Sequence, residues 1–253
     1  MINEYNYGPV HELRLARPPA NSFDLGLIQA LTERLRALPS EGKRAVVLSG
    51  APGIFSGGLD IPTLLELNRE DVWRFVRAFL ELQHTVAVSQ IPVVMAITGH
   101  CAGGGAELIL YADYRIMARG PYRIGINEVQ VGLCPGRATY GALRRLVGSG
   151  RADRLLSTGT MLTSEQALSA GLVDALADAD RVVLEAQDYA STLTKLPPNA
   201  YRTTRQLVRE DLMKLLEGGI RKDACDELVA SITSAEAQAS LQARLTQMRQ
   251  KRQ

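Results

Sequence analysis

Cysteine is scarce in this chain. Its 253 residues include only three, Cys101, Cys134 and Cys225. These have neither the number nor the spacing of a disulfide framework or a Cys/His metal site, so no metal and a reducing, cytoplasmic setting are expected. Neither sign of charge is in excess: the formal net charge is +2, which gives little reason to expect nucleic acid as a partner. No apolar run reaches membrane-spanning length. The stretch from Met1 to Tyr7 lacks the basic and apolar regions of a signal peptide, so no membrane association is expected. Two nucleotide-binding patterns are also missing. Gly99, Gly103, Gly104 and Gly105 do not form G-x-G-x-x-G, and Gly42-Lys43-Arg44 has neither the glycine loop nor the Ser/Thr of a P-loop. Low-complexity segments and internal repeats are absent. What the chain does have is hydrophobic residues, 46% of the total, enough for one large core or a core with a small appendage.

Two segments share one grammar. Pro92 to Thr98 reads as a buried strand and runs into Cys101-Ala102-Gly103-Gly104-Gly105-Ala106-Glu107, a glycine turn followed by a helix. Arg44 to Gly50 reads as a second strand and runs into Phe55-Ser56-Gly57-Gly58-Leu59-Asp60, with Pro62 placed for the first turn of a helix. Glycines let another group approach the backbone closely. N–H groups at a helix start have no partner within the helix. Two such loops could aim one N–H each at a single carbonyl oxygen, which is the construction of an oxyanion hole. The plainer reading is that both turns only pack helix against strand.

Elsewhere, Val10 to Leu15 alternates like a half-buried strand. Leu25, Ile28, Leu31 and Leu35 mark one helix and Asp71 to Val88 another. Strands alternating with helices argue for an α/β fold with mostly parallel pairing. Leu196-Pro197-Pro198-Asn199 marks a boundary between a core domain over 1–196 and a helical region over 197–253. Beyond it, Tyr201 to Leu216 and Cys225 to Ile232 read as helices. Thr233-Ser234-Ala235-Glu236 is a capping-box signal for a last helix running to about Met248. The tail from Arg244 to Arg252 is basic, but Leu241, Leu245 and Met248 at helical spacing make it a helix with a solvated face.

Taken together, Phe55 to Ile61 and Gly99 to Leu108 resemble the two signature loops of the crotonase (enoyl-CoA hydratase/isomerase) superfamily. Three further segments match in order: Ala112 to Ala118, Ile124 to Leu133, and Ser164 to Ala167 followed by Gly171 to Asp174. The resemblance covers roughly residues 8 to 250. It implies a superhelix of β-β-α turns followed by a C-terminal helical region that covers the acyl pocket and supports a homotrimer or homohexamer. The implied substrate is an acyl-CoA thioester. Coenzyme A would enter as part of that substrate, and no separate cofactor is expected.

Carried over residue by residue, the resemblance makes the N–H groups of Leu59 and Gly104 the oxyanion hole. It places Gly57, Gly58, Asp60, Gly103, Gly105 and Pro135 around the substrate. Glu107 and Glu128 match the two catalytic glutamates, the first activating water and the second protonating the α-carbon of a 2-enoyl-CoA. Facing one another in an apolar pocket, one of the pair should hold its proton near neutral pH. Other features are similar to the isomerase branch, which moves a double bond from the 3- to the 2-position. They are Asn127-Glu128-Val129-Gln130, Phe55 to Asp60, and Ser240 to Leu245. That branch uses only the glutamate at the Glu128 position. A non-catalytic scaffold or RNA-binding member of the fold is the remaining alternative. Among the other candidates, His100 reads as structural, His11 and His84 have no evident partner, and Cys134 reads as a small buried thiol. Arg137 is expected near the pocket mouth.

Overall fold

The computed structural model describes residues 1–219 and 222–250. The chain opens with a hairpin, β1 (Ile2–Tyr7) and β2 (Val10–Leu15), paired antiparallel. Helix α1 (Leu25–Ala37) follows, capped by the Asp24 carboxylate, which accepts from the N–H of Leu27. Strand β3 (Ala45–Ser49) then joins β2 in parallel.

From here the chain repeats one move. A strand enters a six-stranded sheet, the next strand enters a four-stranded sheet, and helix follows. The pairs are β3 with β4 (Gly53–Ser56), β5 (Val93–Ile97) with β6 (Gly99–Ala102), and β7 (Tyr114–Ala118) with β8 (Arg123–Gly125). With β9 (Leu162–Thr163) and β10 (Ala175–Ala177), the sheet orders are β1-β2-β3-β5-β7-β10 and β4-β6-β8-β9. All pairings are parallel except β1–β2 and β8–β9. This is the expected superhelix of β-β-α turns.

Strands β3 and β5 are buried at every position because both sheet faces are covered. Val46, Leu48, Met95 and Ile97 pack on α1 and α3 (Arg69–Val88). Val47, Val94 and Ala96 pack on the other face against Val182, Ala186 and Ala190 of α8 (Val182–Thr194).

The remaining helices are α2 (Ile61–Glu66), α4 (Gly104–Ile109), α5 (Gly136–Val147), α6 (Ser149–Thr158), α7 (Ser164–Ala170), α9 (Pro198–Val208), α10 (Glu210–Gly219), α11 (Lys222–Ile232) and α12 (Ala235–Gln250). Leu212 and Leu216 of α10 belong to the same buried cluster as the sheet residues.

Four details differ from the sequence reading. Residues 2–7 form a strand, held by pairing to β2 rather than by an apolar pattern. The stretch Tyr201 to Leu216 is two helices, broken at Arg209. The cap of α12 is Ser234, whose Oγ accepts from the N–H of Ala237, while the hydroxyl of Thr233 donates back to the carbonyl of Val229. Gly99 to Ala102 is a strand of the second sheet, so the glycine turn shrinks to Gly103 alone. In the C-terminal stripe Leu241 is buried. The Met248 side chain and Arg252 lie outside the described residues.

Candidate active site

Three elements converge on one small pocket. Helix α4 begins immediately after β6 and carries Glu107 in its first turn. The loop after β8 ends in a 3-10 turn, Glu128–Val131, that presents Glu128. The loop after β4 brings Gly57, Gly58 and Leu59 alongside. A Cβ built on Gly58 would lie 3.3 Å from the Gly104 nitrogen, and one on Gly104 would lie 2.8 Å from Cδ2 of Leu59. The two glycine loops are thus in direct contact.

Two N–H groups stand out there. Leu59 sits beside Phe23, but the bridge uses the carbonyl of Gly58 and the N–H of Asp60. Gly104 is the first residue of α4, so its N–H precedes the helical ladder. Neither N–H has an acceptor among the described residues.

Gly103 links them to the carboxylates. Its φ of +53° belongs to the region that favours glycine, and a Cβ there would lie 3.2 Å from Oε1 of Glu128. Glu107 and Glu128 both line a cavity of about 40 Å³ walled by Leu59, Phe75, Phe79, Leu133 and Pro135. That is room for a water molecule and little more. A second chamber of about 750 Å³ lies alongside, lined mainly by apolar groups, and shares Leu80, Leu133, Cys134, Pro135 and Leu228 with the first.

The two carboxyls are not equivalent. Oε2 of Glu107 accepts from Nε2 of Gln83 at 3.1 Å and from the Thr139 hydroxyl at 2.8 Å. Oε2 of Glu128 is buried and has no partner. Burial raises both carboxyls above the ordinary glutamate range. For Glu107 this is opposed by hydrogen bonds from Glu128, Thr139 and Gln83. For Glu128 the negative charge of Glu107 and the bond between the two carboxyls add to burial, so it rises well above that range. Like charges buried in one apolar pocket oppose each other's ionisation, and that opposition falls more heavily on Glu128.

The predicted site residues do not all converge. Glu107, Glu128, Leu59 and Pro135 line the pocket, and Gly58, Gly103 and Gly104 sit at its backbone rim. Gly57 and Gly105 act in packing: a Cβ on the first would lie 3.1 Å from that of Ala20, and one on the second 2.8 Å from that of Ser56. Asp60 caps α2. Its carboxylate accepts from the Thr63 N–H at 3.0 Å and from Arg17 at 2.6 Å.

Cys134 is also corrected. It is exposed rather than buried, because its N–H is tied to Ser231 Oγ at 3.3 Å where the chain passes the wall shared by both cavities. Arg137 is 86% exposed, pairs with Glu227 and lines the larger chamber. His11 does have a partner, Glu4, at 2.7 Å. His100 Nδ1 accepts from the Arg123 N–H.

Gln83 and Thr139 were missed by sequence reasoning. The available signal was a polar residue standing on the buried stripe of each helix, among Phe79, Leu82 and Val86 in α3 and among Ala138, Ala142 and Leu143 in α5.

Comparison with known proteins follows this geometry. The enoyl-CoA hydratase/isomerase family matches residues 6–250. Human mitochondrial enoyl-CoA delta isomerase 1 is 29% identical over 244 residues, covering 95% of this chain and 80% of the relative. A probable enoyl-CoA hydratase of Mycobacterium tuberculosis is 33% identical over 192 residues, covering 74% of this chain and 72% of the relative. The crystal structure of human mitochondrial delta3-delta2-enoyl-CoA isomerase superposes with a TM-score of 0.94 at 28% identity, over 100% of this chain and 99% of that one.

Proposed function

Because the chain belongs to the enoyl-CoA hydratase/isomerase family and is an enzyme of it, we propose that it adds water across the double bond of a 2-enoyl-CoA thioester. The observation that carries this is the pair Glu107 and Glu128 in one apolar, water-sized pocket beside two unpartnered N–H groups.

In this reading the thioester oxygen accepts from the N–H groups of Leu59 and Gly104. Glu107, ionised and held by Gln83 and Thr139, takes a proton from water as the water oxygen bonds to C3. The C2=C3 electrons move toward the carbonyl, and the developing enolate charge is held by the two N–H donors. Glu128 gives its proton to C2. The proton gained by Glu107 then passes to Glu128 through the bond between them, restoring the starting state. Each carboxyl in such a role contributes roughly 10²- to 10⁴-fold in rate. The larger apolar chamber would take the alkyl end of the acyl group, with coenzyme A carried by the substrate alone.

The test is incubation of the purified protein with a 2-enoyl-CoA, reading product by mass. Gain of one water is expected; an unchanged substrate mass would refute the reading.

A second reading, migration of a 3,4 double bond to the 2,3 position with Glu128 as proton shuttle, is favoured by the near-complete superposition on the human isomerase. The same pocket can do both if Glu128 is transiently ionised. No described helix is long and apolar enough to cross a membrane. We extend the proposal to a cytoplasmic homotrimer or homohexamer, which would cover the exposed Leu207 and Val208. Sedimentation should then give three or six times the 27.5 kDa of one chain, and a monomer would contradict it.

A further inference from the structure

The two catalytic carboxyls differ most in what donates to them. Oε2 of Glu107 receives two protein donors, one from α3 and one from α5, and both donor residues are buried: Gln83 at 0% and Thr139 at 1% exposure. Oε2 of Glu128 receives none. A donor aimed at a carboxylate in a dry site favours the ion, because the neutral acid makes a weaker bond to it. With its nitrogen on Glu107, the amide of Gln83 leaves Oε1 buried and unpartnered. That is a cost the fold accepts only to keep the N–H₂ end on the carboxylate. A leucine at position 83 would fill the same space without that orphan.

We propose that Gln83 and Thr139 are positioning residues that assign the two glutamates their roles. By donating to the same oxygen of Glu107 they fix it as the proton acceptor, leave the pair's proton on Glu128, and bias the site toward water addition over double-bond migration.

This inference rests on the hydration reading and deepens it. Migration needs Glu128 ionised to remove a proton from C2, whereas hydration needs it protonated. Whatever moves the shared proton therefore moves the ratio of the two reactions. The titratable groups facing the pair are few. Tyr111, in the turn after α4, is buried and held neutral, pushed up by burial and then by the charge of Glu107. Cys134 lies beside Glu128 on the loop leading into α5. Gln83 and Thr139 complete the shell and are themselves uncharged, so they act by hydrogen bonding alone.

The test compares wild type with Thr139→Val, Gln83→Met and Thr139→Ser, on both a 2-enoyl-CoA and a 3-enoyl-CoA across pH. Loss of a donor makes Glu107 more basic, so the acidic limb of the hydration profile moves to higher pH. kcat for hydration falls about tenfold per donor removed, with little change in KM. The ratio of hydration to migration falls by a similar factor, and Thr139→Ser restores both limb and ratio. Equal loss of both reactions with an unmoved pH limb would reduce the two residues to structural support and overturn the proposal. A wild type that adds no water would overturn the hydration reading, and this inference with it.

A measurement on the unaltered protein guards against variants that do not fold. With ¹³C-labelled glutamate side chains, the Glu107 carboxyl should titrate at lower pH than that of Glu128. The reverse order would overturn the assignment.

Discussion

Glu128 is a buried acid that shares its cavity with another carboxylate. Its raised pKa has a consequence for stability as well as for chemistry. Folding holds it protonated to a higher pH than the unfolded chain does. The stability this confers is therefore complete below the ordinary glutamate range and is lost as pH climbs through the raised folded value. Glu128→Gln keeps the shape without that loss. Its Tm should exceed that of wild type by a few degrees at about pH 7 and match it at about pH 4; a lower Tm at neutral pH would mean that the native state holds Glu128 ionised. The same variant should lose roughly 10²-fold or more in both water addition and double-bond migration, since either route passes a proton through this residue.

The 3-10 turn that carries Glu128 is positioned from behind by α12. Gly132 ends the turn at φ +75°, and a Cβ there would lie 2.9 Å from Ser240 Oγ and 3.2 Å from the Ala237 Cα. Gly132→Ala should thus cost about 1–3 kcal/mol in urea unfolding and lower kcat by pushing the turn into the pocket; a fully active variant with unaltered stability would show that α12 does not set the turn. Elements of this kind were unevenly legible. Strands β3 and β5 were plain because both faces are buried and every residue is apolar or small. Strand β1, INEYNY, was hidden because five of its six residues are exposed, and what holds it is the ladder to β2 and the Glu4 pairs with His11 and Arg34. The break at Arg209 was invisible because helical spacing continues through it, and the guanidinium reaches the carbonyls of Ala87, Tyr111 and Ala112 only in the folded chain. The glycine loops and both glutamates could be read from local sequence. Gln83 and Thr139 showed only as polar residues on buried stripes, and their shared partner, 24 and 32 positions away, was hidden.

Across the whole molecule, α9 ties the catalytic framework together. The guanidinium of Arg205 donates to the carbonyls of Val86, Ala87 and Ser89 at the end of α3 and to both oxygens of Asp113. Arg209 does the same for the carbonyls that follow α4. The helices bearing Gln83 and Glu107 are therefore locked to the C-terminal region by buried charge. Arg205→Ala leaves Asp113 with one cation fewer and should cost about 3–5 kcal/mol, read from the urea midpoint; a loss under about 1 kcal/mol would show the clamp to be dispensable. The account as a whole turns on a two-carboxylate site, and one comparison tests it most directly. Glu107→Gln is given a 2-enoyl-CoA and a 3-enoyl-CoA in parallel with wild type, and products are read by mass. The account predicts that wild type adds water and that the variant loses this addition while still shifting the double bond of the 3-enoyl substrate. Undiminished water addition by Glu107→Gln would contradict it.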